Sequence, residues 1–534
     1  MRLTFKELKD QIAKVVPRDI PYSVELEAGN IAIVTPVPAK FGGGDGLIGK
    51  IAKRVKRKIV LRPDESIMKS EEEAKKLVHE IVPEEAEITN LYFDSCYREI
   101  IIQCMNPGEA VGRRGANLNA IRDQTGWLVK VERTSPIISK TVHDIRGYRQ
   151  ANATERRKLL KDFGLNIHRP QRPGAAWARV TALGSYREVG RACHFVTTNE
   201  SRVMIDVGVN IASDTDPMPY FTAPEALPLE KLDAVVLTHS HLDHAGMLPV
   251  LFKYGYRGPV YCTPPTRDLM LLLQTDYLKV GGSEGKRAPY DMEDIRTCMK
   301  HVVDVNWGET TDIAPDIKLT FSNAGHILGS SAVHLHIGDG KHNIVFSGDQ
   351  KYEKSWLFDA ANTRFPRVET LVIESTYGAS GDYQPSRQEA NQELQDIVSR
   401  TIARGGKLIC PVFAVGRSQE VMIAIDELFR SGQVKPVPVW LDGMIQEATA
   451  IHASHPDYLT SSLRKSLLKD DGENPFTSEW FRPVKGRELR ESIIMDNSPC
   501  IVLATSGMLN GGPVMEYFRH WAHEDRNSLC FVGY

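Results

Sequence analysis

Short apolar runs that stop at a small or charged residue recur through the last two thirds of the chain. Val203-Met204-Ile205 stops at Asp206, Ile344-Val345-Phe346 runs into Ser347-Gly348-Asp349, and Val372-Ile373 stops at Glu374. Ala234 to Leu237 precedes a polar hexapeptide, and Ile317 to Phe321 opens onto a small-residue loop, Ser322 to Gly329. Each run reads as a buried strand that delivers a polar group to its end. Two later stretches, 411–420 and 504–512, are strands running into glycine-containing loops ahead of helical patterns. The first third is organised differently. Residues 71–82 are helical in pattern, Glu87–Asp94 and Arg98–Met105 alternate as strands, 116–124 is helical and Trp127–Glu132 closes as a strand. Residues 139–173 form a charged helical connector, ending in the breakers Arg169-Pro170 and Arg172-Pro173-Gly174. The class is α/β.

At 534 residues the chain exceeds the size of one hydrophobic core and divides into several domains. No apolar run reaches the ~18 residues of a membrane span, and Met1 to Leu8 reads as a polar-faced helix, not a signal peptide. The eight cysteines are scattered without a Cys-x-x-Cys, which favours buried free thiols in a reducing, cytoplasmic setting. A net charge of −2 hides an asymmetry: residues 1–175 carry 31 Lys+Arg against 23 Asp+Glu, and the remainder 35 against 45. A basic first third ahead of an acidic remainder suits a hydrolase that recruits a polyanion. The densest cluster, Lys50 to Lys58, contains Lys53, Arg54, Lys56 and Arg57 as candidate nucleic-acid contacts.

The hexapeptide is His239-Ser240-His241-Leu242-Asp243-His244. Three imidazoles and a carboxylate in six positions are ligand types that suit Zn²⁺, and a strand-end loop can fan them around a point. The spacing differs from the helical His-Glu-x-x-His of zinc proteases. It resembles the metallo-β-lactamase superfamily, whose signature is His-x-His-x-Asp-His. That resemblance implies His239 and His241 on one metal, Asp243 and His244 on a second, and Asp206 orienting the ligand loop. His326 is the expected third histidine of the first metal, and Asp349 the expected bridge. His334 and His336, on one face of a strand, read as structure, as do His520 and His523. Two metals roughly 3.5–4 Å apart suit in-line displacement at a phosphodiester.

The segment after Glu374 selects among the superfamily's substrates. With Pro411 to Glu420 and Ala504 to Gly512, it resembles the β-CASP nucleic-acid nucleases, with Glu374 at the acidic position that opens the inserted domain. Arg417, Ser418, Ser506 and Gly507 are candidate phosphate contacts at the two glycine loops. In the first third, Gly112-Arg113-Arg114-Gly115 between two helices resembles the clamp of a type II KH domain, which holds single-stranded nucleic acid. Residues 1–70 resemble a degenerate copy, with apolar residues inside Gly46-Leu47-Ile48-Gly49.

The expected domains are 1–70 and 71–138, both α+β and KH-like, a connector at 139–175, a metallo-β-lactamase αββα core at 176–383, and a β-CASP domain at 384–534. This order, with Gly184 to Cys193 and Leu441 to Ala450, resembles the archaeal homologues of the cleavage and polyadenylation specificity factor endonuclease. The resemblance implies a two-zinc ribonuclease with endonucleolytic and 5′-to-3′ exonucleolytic action on uridine-rich RNA. It also implies a role in 3′-end formation and termination beside RNA polymerase and its elongation factors, and a homodimer in the complete protein. Two further family motifs, each with a histidine, are expected beyond Tyr534. The chain therefore reads as truncated, with the second metal site incomplete. The alternatives are an RNA-binding, polymerase-recruiting module without catalysis, a DNA-acting β-CASP nuclease, and a thioesterase.

Overall fold

A computed structural model describes residues 3–42, 46–171, 177–213, 215–283, 288–468 and 474–533. The expected breakers at 172–174, and the first two residues of the N-terminal helix, lie outside the described residues. The fold is α/β with mixed sheets, as the strand-and-helix alternation requires.

Two small units open the chain with the same three-stranded topology. In the first, Ser23–Glu27 pairs antiparallel with Asn30–Thr35, which pairs parallel with Ile59–Pro63. In the second, Ile88–Asp94 pairs antiparallel with Glu99–Cys104, which pairs parallel with Leu128–Arg133. A parallel return needs a crossover, and each unit supplies one in helix: Leu47–Val55 in the first, Pro107–Val111 and Ala116–Thr125 in the second. Each also has its own apolar core.

The connector is two helices, Lys140–Ala151 and Ala153–Ile167. Leu160, Phe163 and Ile167 of the second join the core between two larger sheets. The first of these sheets has six strands, in the order Val302–Asp304, Val260–Cys262, Ala234–Val236, Arg202–Ile205, Cys193–Thr198 and Ala178–Gly184. The second has five, from Thr310–Ala314 through Ile317–Asn323, Ser331–Ile337 and His342–Phe346 to Thr370–Val372. Phe195 and Met204 on the outer face of the six-stranded sheet pack with Leu248 and Leu251 of a covering helix.

The last lobe is a five-stranded, all-parallel sheet in the order Phe481–Pro483, Val439–Asp442, Cys500–Ala504, Lys407–Pro411 and Ser528–Leu529. Its strands are apolar almost throughout, as expected of a sheet covered on both faces. One covering face forms a single core with the sandwich: Val415, Met422 and Ile445 pack in the same cluster as Leu269, Ile327, Leu328 and Phe358. All eight cysteines are buried with free thiols. Among the described residues, no helix is long and apolar enough to cross a membrane.

Candidate metal centre and cleft

Strands ending on one edge of the sandwich bring the hexapeptide and three distant residues together. Ala234–Val236 ends at the hexapeptide, Ile317–Asn323 leads to His326, and His342–Phe346 leads to Asp349. His239, His241, His326 and Asp349 each offer a donor atom within 4.8 Å of the others. His326 Nε2 stands 3.2 Å from His241 Nδ1, and Asp349 Oδ2 stands 3.7 Å from His326 Nε2 and 3.9 Å from His239 Nε2. Tetrahedral zinc with bonds of about 2.0–2.1 Å sets donor–donor edges of about 3.3 Å, so the group fits such an ion with small adjustment. His239 Nε2 is buried without a hydrogen-bond partner, as expected of a donor atom meant for a metal.

A second group shares His239 with the first and lies beside Asp349. His239, Asp243 and His244 form another set of converging donors. Asp349 turns its other oxygen to this side, with Oδ1 3.1 Å from His244 Nε2, while Asp243 Oδ2 lies 3.8 Å from the same nitrogen. One carboxylate thus faces both groups.

Asp206 stands behind them. Its Oδ1 accepts from the Thr238 backbone N–H at 2.7 Å, and its Oδ2 lies 2.8 Å from both the Thr238 hydroxyl and His244 Nδ1. The residue is buried, with φ of 60° in the left-handed region. Gly208, two residues on, has no room for a side chain, because a Cβ would stand 1.6 Å from the Asp243 carbonyl oxygen. The Gly184 to Cys193 stretch touches the same place, where Ala192 N–H donates to that oxygen.

The electrostatics divide the cluster. Burial holds His239 well below the usual histidine range, lowers His241, and brings His326 to about 3. Burial also opposes a charge on His244, but Asp349, Asp243 and Asp206 together raise it well above 6.5. Asp349 is held well below the carboxylate range, because the nearby imidazoles outweigh its burial. Burial therefore favours the neutral form of these three rings.

The second lobe supplies the facing wall. Gly416, with φ of 86°, precedes the helix Arg417–Arg430, and a Cβ on it would come within 3.0 Å of Ile327, next to His326. The loop at Ser506 and Gly507 sits beside the 412–417 loop, since a Cβ on Gly507 would lie 3.1 Å from Phe413 N. Both loops leave the C-terminal ends of adjacent parallel strands, where open α/β sheets place their ligands. Arg417 is one third exposed and pairs with Glu420. Glu374 stays outside both donor groups: its carboxylate accepts from Thr376 N–H, and its own N–H donates to Ser347 Oγ.

Two assignments from the sequence need correction. Ser418 was expected at a phosphate, but its side chain is fully buried and donates to the Ala414 carbonyl 2.8 Å away. Arg57 was expected on a nucleic-acid face, but its guanidinium is turned inward to Asp312, at 3.0 Å, with both side chains less than 10% exposed. Lys56, in the left-handed conformation, ends the helix there and reverses the chain. Lys53, Arg54 and Lys56 remain on the surface, and Arg54 also bonds Gln11.

In the second unit, Gly112 and Gly115 take φ of 70° and 78°, and Arg113 and Arg114 are exposed between them. A groove of about 360 Å³ begins one turn along the next helix, between Leu118, Asn119 and Arg122 on one side and Val129 and Lys130 on the other. In the first unit, Gly49 lies inside the helix Leu47–Val55, and Leu47 and Ile48 pack on the core, so no corresponding loop forms.

His334 and His336 stack on one strand face away from the donors, with His336 bonded to Asn343 and Thr320. His520 and His523 are exposed. Thr238 went unassigned in the sequence because a threonine before a histidine carries no signal of its own. Lys351 escaped for the same reason.

Three family models match the chain: the KH domain of transcription termination factor FttA over 2–68, the metallo-beta-lactamase superfamily over 186–399, and the Beta-Casp domain over 418–534. Transcription termination factor FttA of Methanosarcina mazei is 51% identical over 529 residues, spanning 99% of this chain and 83% of that protein. The FttA proteins of Methanothermobacter thermautotrophicus and Methanocaldococcus jannaschii are 47% and 46% identical over the same shares. The chain belongs to the FttA family. In FttA terms, the donor cluster lies in the metallo-β-lactamase part, and of the facing wall the Ser506–Gly507 loop lies in the β-CASP part, with Gly416 and Arg417 just before it. The Gly112–Gly115 loop lies beyond the segment matched by the KH model.

Proposed function

We propose that this chain is a zinc-dependent ribonuclease that cuts single-stranded, uridine-rich RNA, endonucleolytically and from the 5′ end, in cytoplasmic 3′-end formation and transcription termination. The observation that carries the reading is Asp349, whose two oxygens face two donor groups at the seam of a metallo-β-lactamase sandwich and a β-CASP lobe. Bound divalent ions supply a deprotonated water and neutralise charge at the phosphate. His239, His241, His326 and Asp349 would hold the first ion. Asp243 and His244, with Asp349 Oδ1 beside them, would hold a second more weakly, because they add only two donor residues of their own. Asp206 fixes the His244 ring, and Glu374 anchors the strand end beside Asp349.

Recognition is divided between two surfaces. Arg113, Arg114 and the groove beside them hold the sugar–phosphate backbone, as the exposed Gly112–Gly115 loop supports. Lys53, Arg54 and Lys56 add positive charge, and Arg417 with the Ser506–Gly507 loop steadies the scissile phosphate. The termination role follows the name of the relatives. In this reading the partners are RNA polymerase and elongation factors, and the assembly is a homodimer.

The test is cleavage of labelled uridine-rich RNA, with and without a chelator, by wild type and by the double variant Asp243→Ala, His244→Ala. The variant should lose cleavage and keep RNA affinity near wild type. Affinity that collapses in parallel would place the RNA on the donor cluster itself and refute the division of labour.

A further inference from the structure

Lys351 belongs to neither donor group, yet its backbone is fixed between their loops. Its N–H donates to the Ala324 carbonyl at 2.9 Å, two residues before His326, and its own carbonyl accepts from Ala361 N–H at 2.9 Å. A Cβ on Gly325 would stand 2.9 Å from that carbonyl oxygen, so the two loops touch with no room to slide. The side chain then crosses the seam. Its ammonium lies 4.0 Å from Glu420 Oε2, on the first turns of the helix Arg417–Arg430. Arg417 Nη1 takes the same oxygen at 3.0 Å.

One carboxylate oxygen is therefore shared by two cations from opposite walls of the cleft. The three side chains are 32%, 17% and 35% exposed for Lys351, Glu420 and Arg417, so the trio is reachable from solvent without being freely solvated. The charges sum to one surplus positive. At 4.0 Å the ammonium sits in the field of Glu420 without a hydrogen bond to it, so its three donors remain for another acceptor. A phosphodiester carries one negative charge and two free oxygens, which is one oxygen for each cation.

We propose that Lys351 and Arg417 form a two-sided clamp for an RNA phosphodiester beside the donor cluster, with Glu420 keeping the cations in register until RNA arrives. Lys351 is a positioning residue here, and the inference rests on the ribonuclease reading above. A seam salt bridge that merely joins the lobes is the competing account, and the two differ in sign at Glu420. If the carboxylate competes with RNA phosphate, removing its charge strengthens RNA binding. If it only braces the seam, removing it weakens the fold and leaves RNA binding no stronger.

The experiment measures single-stranded RNA affinity across a salt series, cleavage kcat and KM, zinc content and melting temperature for wild type, Lys351→Ala, Lys351→Arg and Glu420→Gln. Lys351→Ala should weaken RNA binding by about tenfold, the size of one charge-assisted contact. It should also flatten the log–log salt slope by about 0.7, the single-strand value for one phosphate contact. Zinc content should stay at the wild-type level. Lys351→Arg should recover most of the affinity, and Glu420→Gln should bind RNA more tightly than wild type. Wild-type affinity and slope in Lys351→Ala, or binding no stronger than wild type in Glu420→Gln, would overturn the clamp while leaving wild-type cleavage intact. A wild type that neither binds nor cuts RNA when metal-loaded would overturn the clamp together with the reading beneath it.

Discussion

Replacing Asp206 with asparagine keeps the shape of the side chain and removes one acceptor oxygen, so the consequence can be worked through bond by bond. The carboxylate serves three donors: Thr238 N–H on one oxygen, and the Thr238 hydroxyl and His244 Nδ1 on the other. By holding the proton on Nδ1, it leaves the Nε2 lone pair to face Asp349 and Asp243 when metal binds. An asparagine has two ways to sit. With its oxygen on Thr238 N–H, its amide donates toward His244, which must then accept at Nδ1 and carry its proton on Nε2, where the metal would bind. With its oxygen on His244, the amide meets the Thr238 N–H donor to donor, and a buried N–H left unpaired costs about 1–3 kcal/mol. The second arrangement spares His244 only at that cost, so the first is favoured and the second donor group suffers. Loss of such a supporting partner lowers metal affinity by about 10–100-fold, or about 1.4–2.7 kcal/mol. Zinc competition against a chromogenic chelator measures this directly. The first equivalent should bind as in wild type and the second should weaken by that factor, with the metal-free melting temperature reporting any loss of fold. Two equivalents at wild-type affinity would refute the tautomer argument. An equal loss at both would show that Asp206 supports the whole loop and not His244 in particular.

Arg57→Ala should destabilise the fold by about 3–5 kcal/mol, because it removes one partner of a buried pair with Asp312. Lys56→Ala should leave the denaturation midpoint unchanged and weaken only RNA capture. Ser418→Ala should leave RNA affinity at the wild-type value and cost about 1 kcal/mol or less in chemical denaturation, since Gln419 Nε2 still donates to the Ala414 carbonyl. His301 and His452 are buried away from the cleft, and burial brings both to about 4. Both are depressed below the ordinary histidine value, so their stabilisation is complete above about pH 6.5 and is lost as pH falls through about 4, by about 3 kcal/mol each. Unfolding at pH 7 and pH 4.5 tests the sign, and His301→Gln should flatten the difference.

The donor cluster was legible because its logic is local: an apolar strand, a tight loop, and donors at the exit. His326 and Asp349 followed because each stands at the end of its own apolar run, and two strands on either side of one antiparallel partner deliver their ends to the same edge. The Gly112–Gly115 loop was legible for a related reason, since both glycines take φ values that other residues adopt at a cost. Arg57 was misread because a run of charges shows no direction. Its partner Asp312 lies on a strand of the sandwich, and only the tertiary fold turns the chain toward it. Ser418 follows the same rule, because the inward side of a helix's first turn is set by what packs on it. Lys351 and Glu420 are ordinary residues until two lobes meet.

That meeting is braced by ion pairs, which bears on how the recognition surfaces work together. A buried chain of ion pairs runs from the connector into both large lobes: Arg149 and Arg267 share Asp304 Oδ2, Arg267 bonds Asp268 Oδ1, and His455 of the last lobe reaches Asp268 Oδ2. Asp268 is fully buried, so separating His455 from it would leave Oδ2 without a partner while Arg267 keeps Oδ1, and an unpaired buried acceptor costs about 1–3 kcal/mol. The second small unit is tied in as well. Arg133 donates to the Leu468 carbonyl, Arg146 pairs with Glu132, and Ser139 donates to Glu447 at 2.6 Å. A flexible tether between the Gly112–Gly115 loop and the cleft would admit RNA segments of many lengths. With these contacts made, the separation is a single fixed distance, so under the proposed function an RNA held at Arg113 and Arg114 reaches Asp349 only with a set number of nucleotides between.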